Sequence, residues 1–88
     1  MTLDRAFRLK TVAAGYILID LRGGIARLDK VYRLTSAAAW LWHKAQNRDF
    51  SEKDLVAWLC HGYDISHQQA CEDVHSLLED WIKNGIAI

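Results

Sequence analysis

The sequence of 88 residues has no proline, two cysteines and one methionine. Without proline, the ends of helices and strands must be set by caps, turns and glycines. The cysteines, Cys60 and Cys71, form no C-x-x-C pair and no metal-binding spacing. A chain able to build a core needs no disulfide, so both are expected as small packed hydrophobes. No apolar run approaches the length of a membrane span, and the opening MTLDRAFRLK lacks an apolar signal segment. The expectation is a cytoplasmic protein with no membrane partner. A phosphate-binding loop, an H-E-x-x-H pair and a nucleophile elbow are also missing. No catalytic residue, metal or cofactor is therefore expected.

Half of the residues are hydrophobic (51%) and four are tryptophan, a composition that excludes a disordered chain. The length fits one domain, residues 1–88. The net charge is +0, but it is unevenly placed: residues 1–48 carry nine Lys/Arg and three Asp/Glu, residues 49–88 two and eight. The two halves can attract each other, or the basic half can present a surface to an acidic partner.

The stretch from Ile65 to Ile88 predicts a long final helix. Ser66 is a suitable N-cap, Gln69 stands at the capping-box position, and Gly85 sits where a left-handed residue would stop the helix. At helical spacing His67, Ala70, Cys71, Val74, Leu77, Leu78, Trp81 and Ile82 share one side, and the acidic and amide side chains share the other. This apolar side is wider than one neighbouring element requires. Either the helix packs on both a sheet and other helices, or one flank lines a groove for a partner.

Upstream, Phe7-Arg8-Leu9-Lys10 alternates as a half-buried strand does, and Tyr16 to Ile19 reads as a more buried one. Ala13-Ala14-Gly15 and Arg22-Gly23-Gly24 are turn signals. Ile25–Leu34 holds two strand-like pieces, IARL and VYRL, which are one bent strand or a strand and a further hairpin. Connections this short make an antiparallel meander. Thr35 or Ser36 then caps a helix reaching about Gln46, with Ala38, Leu41 and Ala45 inward and Trp42 at the edge. Trp40, off that stripe, packs under the sheet or serves as a partly exposed contact. Ser51 and Asp54 predict a capping box for a second helix, with Phe50 stapled onto Leu55 and Gly62 as its end. The order of elements predicts an α+β, winged-helix-like fold: a three-stranded antiparallel sheet followed by three helices.

His67, Cys71 and His75 are spaced four apart, but the helix turns about 80° from first to last and no fourth ligand is spaced to help. They are not expected to hold a metal. The final helix as a DNA reader would present Gln68, Glu72, Asp73, Glu79 and Asp80, whose four carboxylates repel phosphate, so no nucleic-acid partner is expected. What remains is a basic sheet beside a broad apolar helix face. An unpaired strand edge can take an extended peptide as one more strand. Each added backbone hydrogen bond contributes about 0.5–1.5 kcal/mol, and fixing each peptide residue costs about 1–2 kcal/mol. The ladder nearly cancels, so affinity must come from apolar anchors on the helix, with Arg27 and Arg33 assisting an acidic peptide. Leu78→Asp is then expected to weaken binding more than Arg33→Ala.

FRLK, GYILIDL, YRLTSAAAWLW and FSEKDLVAWLCHGYDISHQQACEDVHSLLEDWIKNGIAI, in this order, resemble PqqD-like proteins over roughly residues 5–88. Leu34-Thr35 stands where that family has Leu-Asn, and Asp73-Val74, Leu77-Leu78 and Gly85-Ile86 match its closing pattern. The stretch Ile25–Leu34 is longer than in the founding member, which acts in pyrroloquinoline quinone (PQQ) biosynthesis, and matches looser relatives. The resemblance implies a three-stranded sheet on three helices and a non-catalytic element for recognising precursor peptides. Such an element binds the leader of a ribosomally made precursor and presents it to a modifying enzyme, often a radical S-adenosylmethionine (SAM) enzyme. It implies a groove between the third strand and third helix. The expected peptide-binding residues are Arg27, Leu28, Val31, Tyr32 and Arg33 on the strand side, with IARL or VYRL as the docking edge. On the helix they are Cys71, His75, Leu78 and Ile82, with the opposite flank, Ala70 and Leu77, as the alternative. Exposed strand edges also permit a homodimer. The alternatives to a peptide adaptor are a winged-helix nucleic-acid binder and a structural subunit of a larger complex.

Overall fold

A computed structural model describes residues 1–23 and 31–88. Three strands, β1 (Phe7–Val12), β2 (Gly15–Asp20) and β3 (Val31–Leu34), precede three helices, α1 (Ser36–Ala45), α2 (Glu52–Tyr63) and α3 (His67–Lys83). The expected α+β architecture is therefore present. The sheet is an antiparallel meander in the order β1-β2-β3. Leu9 stands opposite Leu18, and Leu18 opposite Tyr32, so these side chains share the inner face. Lys10, Ile17 and Arg33 lie across from one another on the outer face. Strand alternation thus aims one apolar row at the helices and a mixed basic row at solvent. Arg27 and Leu28, with the rest of IARL, lie outside the described residues.

The helices start as local chemistry dictates. Thr35, rather than Ser36, caps α1 and accepts from the Ala38 amide at 3.1 Å. Ser51 and Asp54 form the full reciprocal box at α2. At α3 only half of the expected box forms. Ser66 accepts from the Gln69 amide at 3.1 Å, but the Gln69 side chain turns forward and donates to Asp73 Oδ1 at 2.9 Å. An i,i+4 partner displaces the backward bond here. The C-terminus of α3 is a Schellman motif. Gly85, at φ 74°, donates to the Ile82 carbonyl and Ile86 to that of Trp81.

Gly62 does not end α2. The helix runs through it to Tyr63 and stops at Asp64, which takes the left-handed conformation at φ 49°. Asp is tolerated there because its short polar side chain lowers the penalty. Trp40 is not under the sheet either. Its ring packs over the last turn of α2, edge-on to Tyr63 with centroids 5.4 Å apart.

The core forms where the sheet's inner face meets all three helices. Phe7 and Leu18 come from the sheet, Leu41 and Trp42 from α1, Leu55 and Leu59 from α2, and Val74, Leu78 and Trp81 from α3. Trp42, placed by sequence at the edge of α1's stripe, is only 3% exposed. Cys60 and Cys71 are free thiols and half-buried rather than fully packed. Below the sheet, Leu3 bridges to Ala87, and the C-terminal tail pairs with the first residues through Thr2–Ile88 and Asp4–Ile86 backbone bonds.

Candidate functional site

Among the described residues β3 pairs only with β2, which leaves its other edge open. That edge faces α3 across a groove. Its larger part is a hollow of about 540 Å³. The floor is apolar: Leu34, Ala37 and Leu41 come from the β3–α1 corner, and Leu59 and Ile65 from α2 and the following loop. Tyr63 also lines it. The strand-side wall carries Arg33, and the helix wall carries Asp73, Ser76, Leu77 and Asp80. A smaller hollow of about 370 Å³ shares Arg33, Leu34, Leu77 and Asp80 and continues past Val31 and Tyr32. The two hollows together follow the whole length of β3.

The sequence sets this shape through α3's angular layout. Val74 and Trp81 point into the core, 0% and 1% exposed. Asp73 and Asp80, seven residues apart, differ by only about 20° around the helix. Leu77 lies about 40° from Asp73 on the side toward the core. One narrow stripe therefore offers a carboxylate, an apolar side chain and a second carboxylate along the groove. The Asp73 carboxylate receives the Gln69 amide, and neither carboxylate is ion-paired among the described residues.

Of the expected strand residues, Val31, Tyr32 and Arg33 line the groove. Val31 is 37% exposed, and Tyr32 is half-buried against Phe7 with ring centroids 6.1 Å apart. The preferred helix flank lies elsewhere. Cys71, His75 and Ile82 sit about half a turn from Asp73. His75 faces Glu52 of α2, Nδ1 to Oε1 3.5 Å, and Glu79, Nε2 to Oε1 2.8 Å. Cys71 Sγ lies 3.4 Å from His67 Nε2, and Ile82 is 56% exposed. Leu78 points into the core at 3% exposure and lines neither hollow. The groove is walled instead by the flank that includes Leu77, although Ala70 of that flank is fully buried. Periodicity marked both flanks of the apolar side, but only the position of β3 selects between them. Asp73, Ser76 and Asp80, absent from the expected set, were legible as α3's polar border beside Leu77.

A model of the family described as coenzyme PQQ synthesis protein D (PqqD) matches residues 15–87. The chain belongs to the PqqD family. The match begins at β2 and takes in the groove with both its walls. A solved structure, lasso peptide synthetase B1 complexed with the leader peptide, is similar with a TM-score of 0.70. It covers 98% of this chain and 94% of that chain at 22% identity. At that identity the likeness shows the fold alone. No curated protein matches the chain.

Among the described residues no helix is long and apolar enough to cross a membrane, and no three His, Cys, Asp or Glu side chains gather as metal ligands.

Proposed function

We propose that this PqqD-family chain is a non-catalytic, cytoplasmic adaptor. It binds the leader segment of a ribosomally made precursor peptide and presents it to a modifying enzyme. The observation that carries this reading is the edge of β3, unpaired among the described residues, facing an apolar-floored groove under α3. An unpaired edge supplies backbone donors and acceptors in a row, and the hollow beside it takes alternate side chains of an added strand. The solved relative of the same fold was complexed with a leader peptide, which supports the same use here. The modifying enzyme is a radical SAM enzyme or another peptide maturase.

The peptide-binding residues in this reading are Val31, Tyr32 and Arg33 along the strand. On the helix they are Leu77 with Asp73, Ser76 and Asp80. A two-dimensional amide NMR titration with short peptides encoded beside the gene tests this. Shifts concentrated on residues 31–34 and 73–80 are expected. Shifts confined to Cys71, His75 and Ile82 would move the site to the other flank. No shift with any such peptide would count against the adaptor and favour a structural subunit. DNA is disfavoured by Glu72, Asp73, Glu79 and Asp80, exposed on the helix a winged-helix reader would use.

A further inference from the structure

The helix wall of the groove is acidic: Asp73 and Asp80 stand on it with Leu77 between them, whereas Arg33, beside the strand edge, belongs to the sheet's outer face. We propose that the groove selects an extended peptide with the pattern basic–x–apolar–x–basic, its basic residues directed at Asp73 and Asp80. This rests on the peptide-groove reading above and specifies its ligand.

Spacing carries the step from charge to pattern. In a strand, alternate side chains point the same way, about 6.7 Å apart. A peptide added to β3 therefore turns residues i, i+2 and i+4 toward α3 and the others away. The middle one meets the apolar floor of Leu34, Ala37 and Leu41 beneath Leu77. Its two same-face neighbours then stand about 13 Å apart. Asp73 and Asp80 are separated by about 10 Å along the helix. Long, flexible Lys or Arg side chains bridge that difference, and shorter ones do not.

Desolvation adds a second reason. Neither carboxylate has an ion pair among the described residues, and the Asp80 carboxylate accepts no hydrogen bond there, the Asn84 side chain donating to its backbone carbonyl instead. A peptide strand laid over them would remove water from both. An acidic or apolar residue at those positions would leave the carboxylates repelled or unpaired, whereas a basic one satisfies them. Residues facing away from α3 pass Arg33 on the outer side, where an acidic residue is accommodated. The peptide is therefore charged by face and is not uniformly acidic.

The test is selection from a displayed peptide library with an apolar residue fixed at the centre or randomised. It is run in parallel on the wild-type chain and on the Asp73→Asn/Asp80→Asn variant, whose thermal melt establishes that it remains folded. Wild type is expected to enrich an apolar centre with Lys or Arg two residues to either side. The variant should keep the apolar centre and lose the basic preference. Replacing both basic residues by Glu in an enriched peptide should weaken wild-type binding by about tenfold, a loss suited to two partly exposed ion pairs and the repulsion that replaces them. The difference should shrink in the variant and in high salt. An apolar centre with no basic preference, or with an acidic one, would overturn the inference and leave the groove reading standing. Absence of any apolar enrichment would overturn both.

Discussion

The indole of Trp40 rests on Gly62, so that a Cβ at position 62 would stand 2.7 Å from its Cζ2 and closer still to Cη2. Gly62 is thus a helical glycine kept small by a neighbouring ring, and its backbone angles need no special freedom. Alanine at a helix interior is favoured over glycine by about 0.8–1 kcal/mol, while overpacking costs about 1–3 kcal/mol. Tyr63 edge-on and Lys44, 5.0 Å over the ring, limit how far Trp40 can retreat. Gly62→Ala is therefore expected to lower stability by about 1 kcal/mol and to shift the Trp40 indole resonance. In a Trp40→Ala background the same change should stabilise by about 1 kcal/mol. Urea unfolding of the four proteins reads both signs. A stabilising Gly62→Ala in the wild-type background would show that the ring swings aside freely.

A second close relationship ties the β2 end to the helix end. Asp20 is 1% exposed and takes the Arg22 side chain in fork geometry, Nε at 3.0 Å and Nη2 at 2.7 Å, along with the Arg22 amide at 2.9 Å. The carboxylate holds the guanidinium above its ordinary pKa, chiefly through the hydrogen bond. The same guanidinium lies 5.1 Å over the Phe7 ring, and its Nη1 would be 2.7 Å from a Cβ at Gly85. Arg22→Lys keeps the charge but loses the fork and the stacking. It is expected to lower the melting temperature, and Arg22→Met, which also removes this positive charge, to lower it further. Equal melting of Arg22→Lys and wild type would mean that charge alone matters here.

Much of the fold was legible because its signals are local. The caps at Ser51 and Ser66, the stop at Gly85 and the alternation of Phe7 to Lys10 depend on neighbours in sequence, and each is found where the pattern put it. Legibility failed where a distant residue decides. Gly62 reads as a stop, but Trp40, 22 positions away, gives it another reason. Leu77 and Leu78 are equivalent in periodicity, and only β3's place in the sheet makes one a wall and the other core. The acidic stripe beside Leu77 looked like ordinary solvated surface because the opposing strand wall is more than thirty positions earlier.

The two serine caps differ in a way that can be measured. Ser51 has its reciprocal partner, Asp54 Oδ2 accepting from the Ser51 amide at 3.0 Å, whereas Ser66 has none because Gln69 is engaged with Asp73. Both should cost stability on replacement by alanine, within the usual range of about 0.5–2 kcal/mol, with Ser51→Ala at the upper end. Thermal melts of the two variants suffice. A larger loss at Ser66 would mean that the start of α3, the longer helix, governs cooperativity more than the number of capping bonds does.

The residue that best separates binding from folding is Leu77. Leu78, first expected as the anchor, is 3% exposed and belongs to the core. Leu78→Asp would therefore bury a charge and unfold the chain, and even Leu78→Ala is expected to cost about 2–5 kcal/mol of stability. Leu77 is half-buried at the groove wall, where an incoming apolar side chain would cover the rest of it. Leu77→Ala should keep a cooperative melt and weaken peptide binding by about tenfold, since a fully buried leucine contributes about 1.5–3 kcal/mol and tenfold corresponds to about 1.4 kcal/mol. Arg33→Ala, at an exposed cation, should cost less than about fivefold and lose its effect in high salt. Isothermal titration of both variants with one bound peptide decides the order. Unchanged binding by Leu77→Ala, with the melt intact, would remove the apolar wall from the site and leave the strand edge to account for recognition alone. That edge nearly balances its own ordering cost, so such a result would point to a different surface altogether.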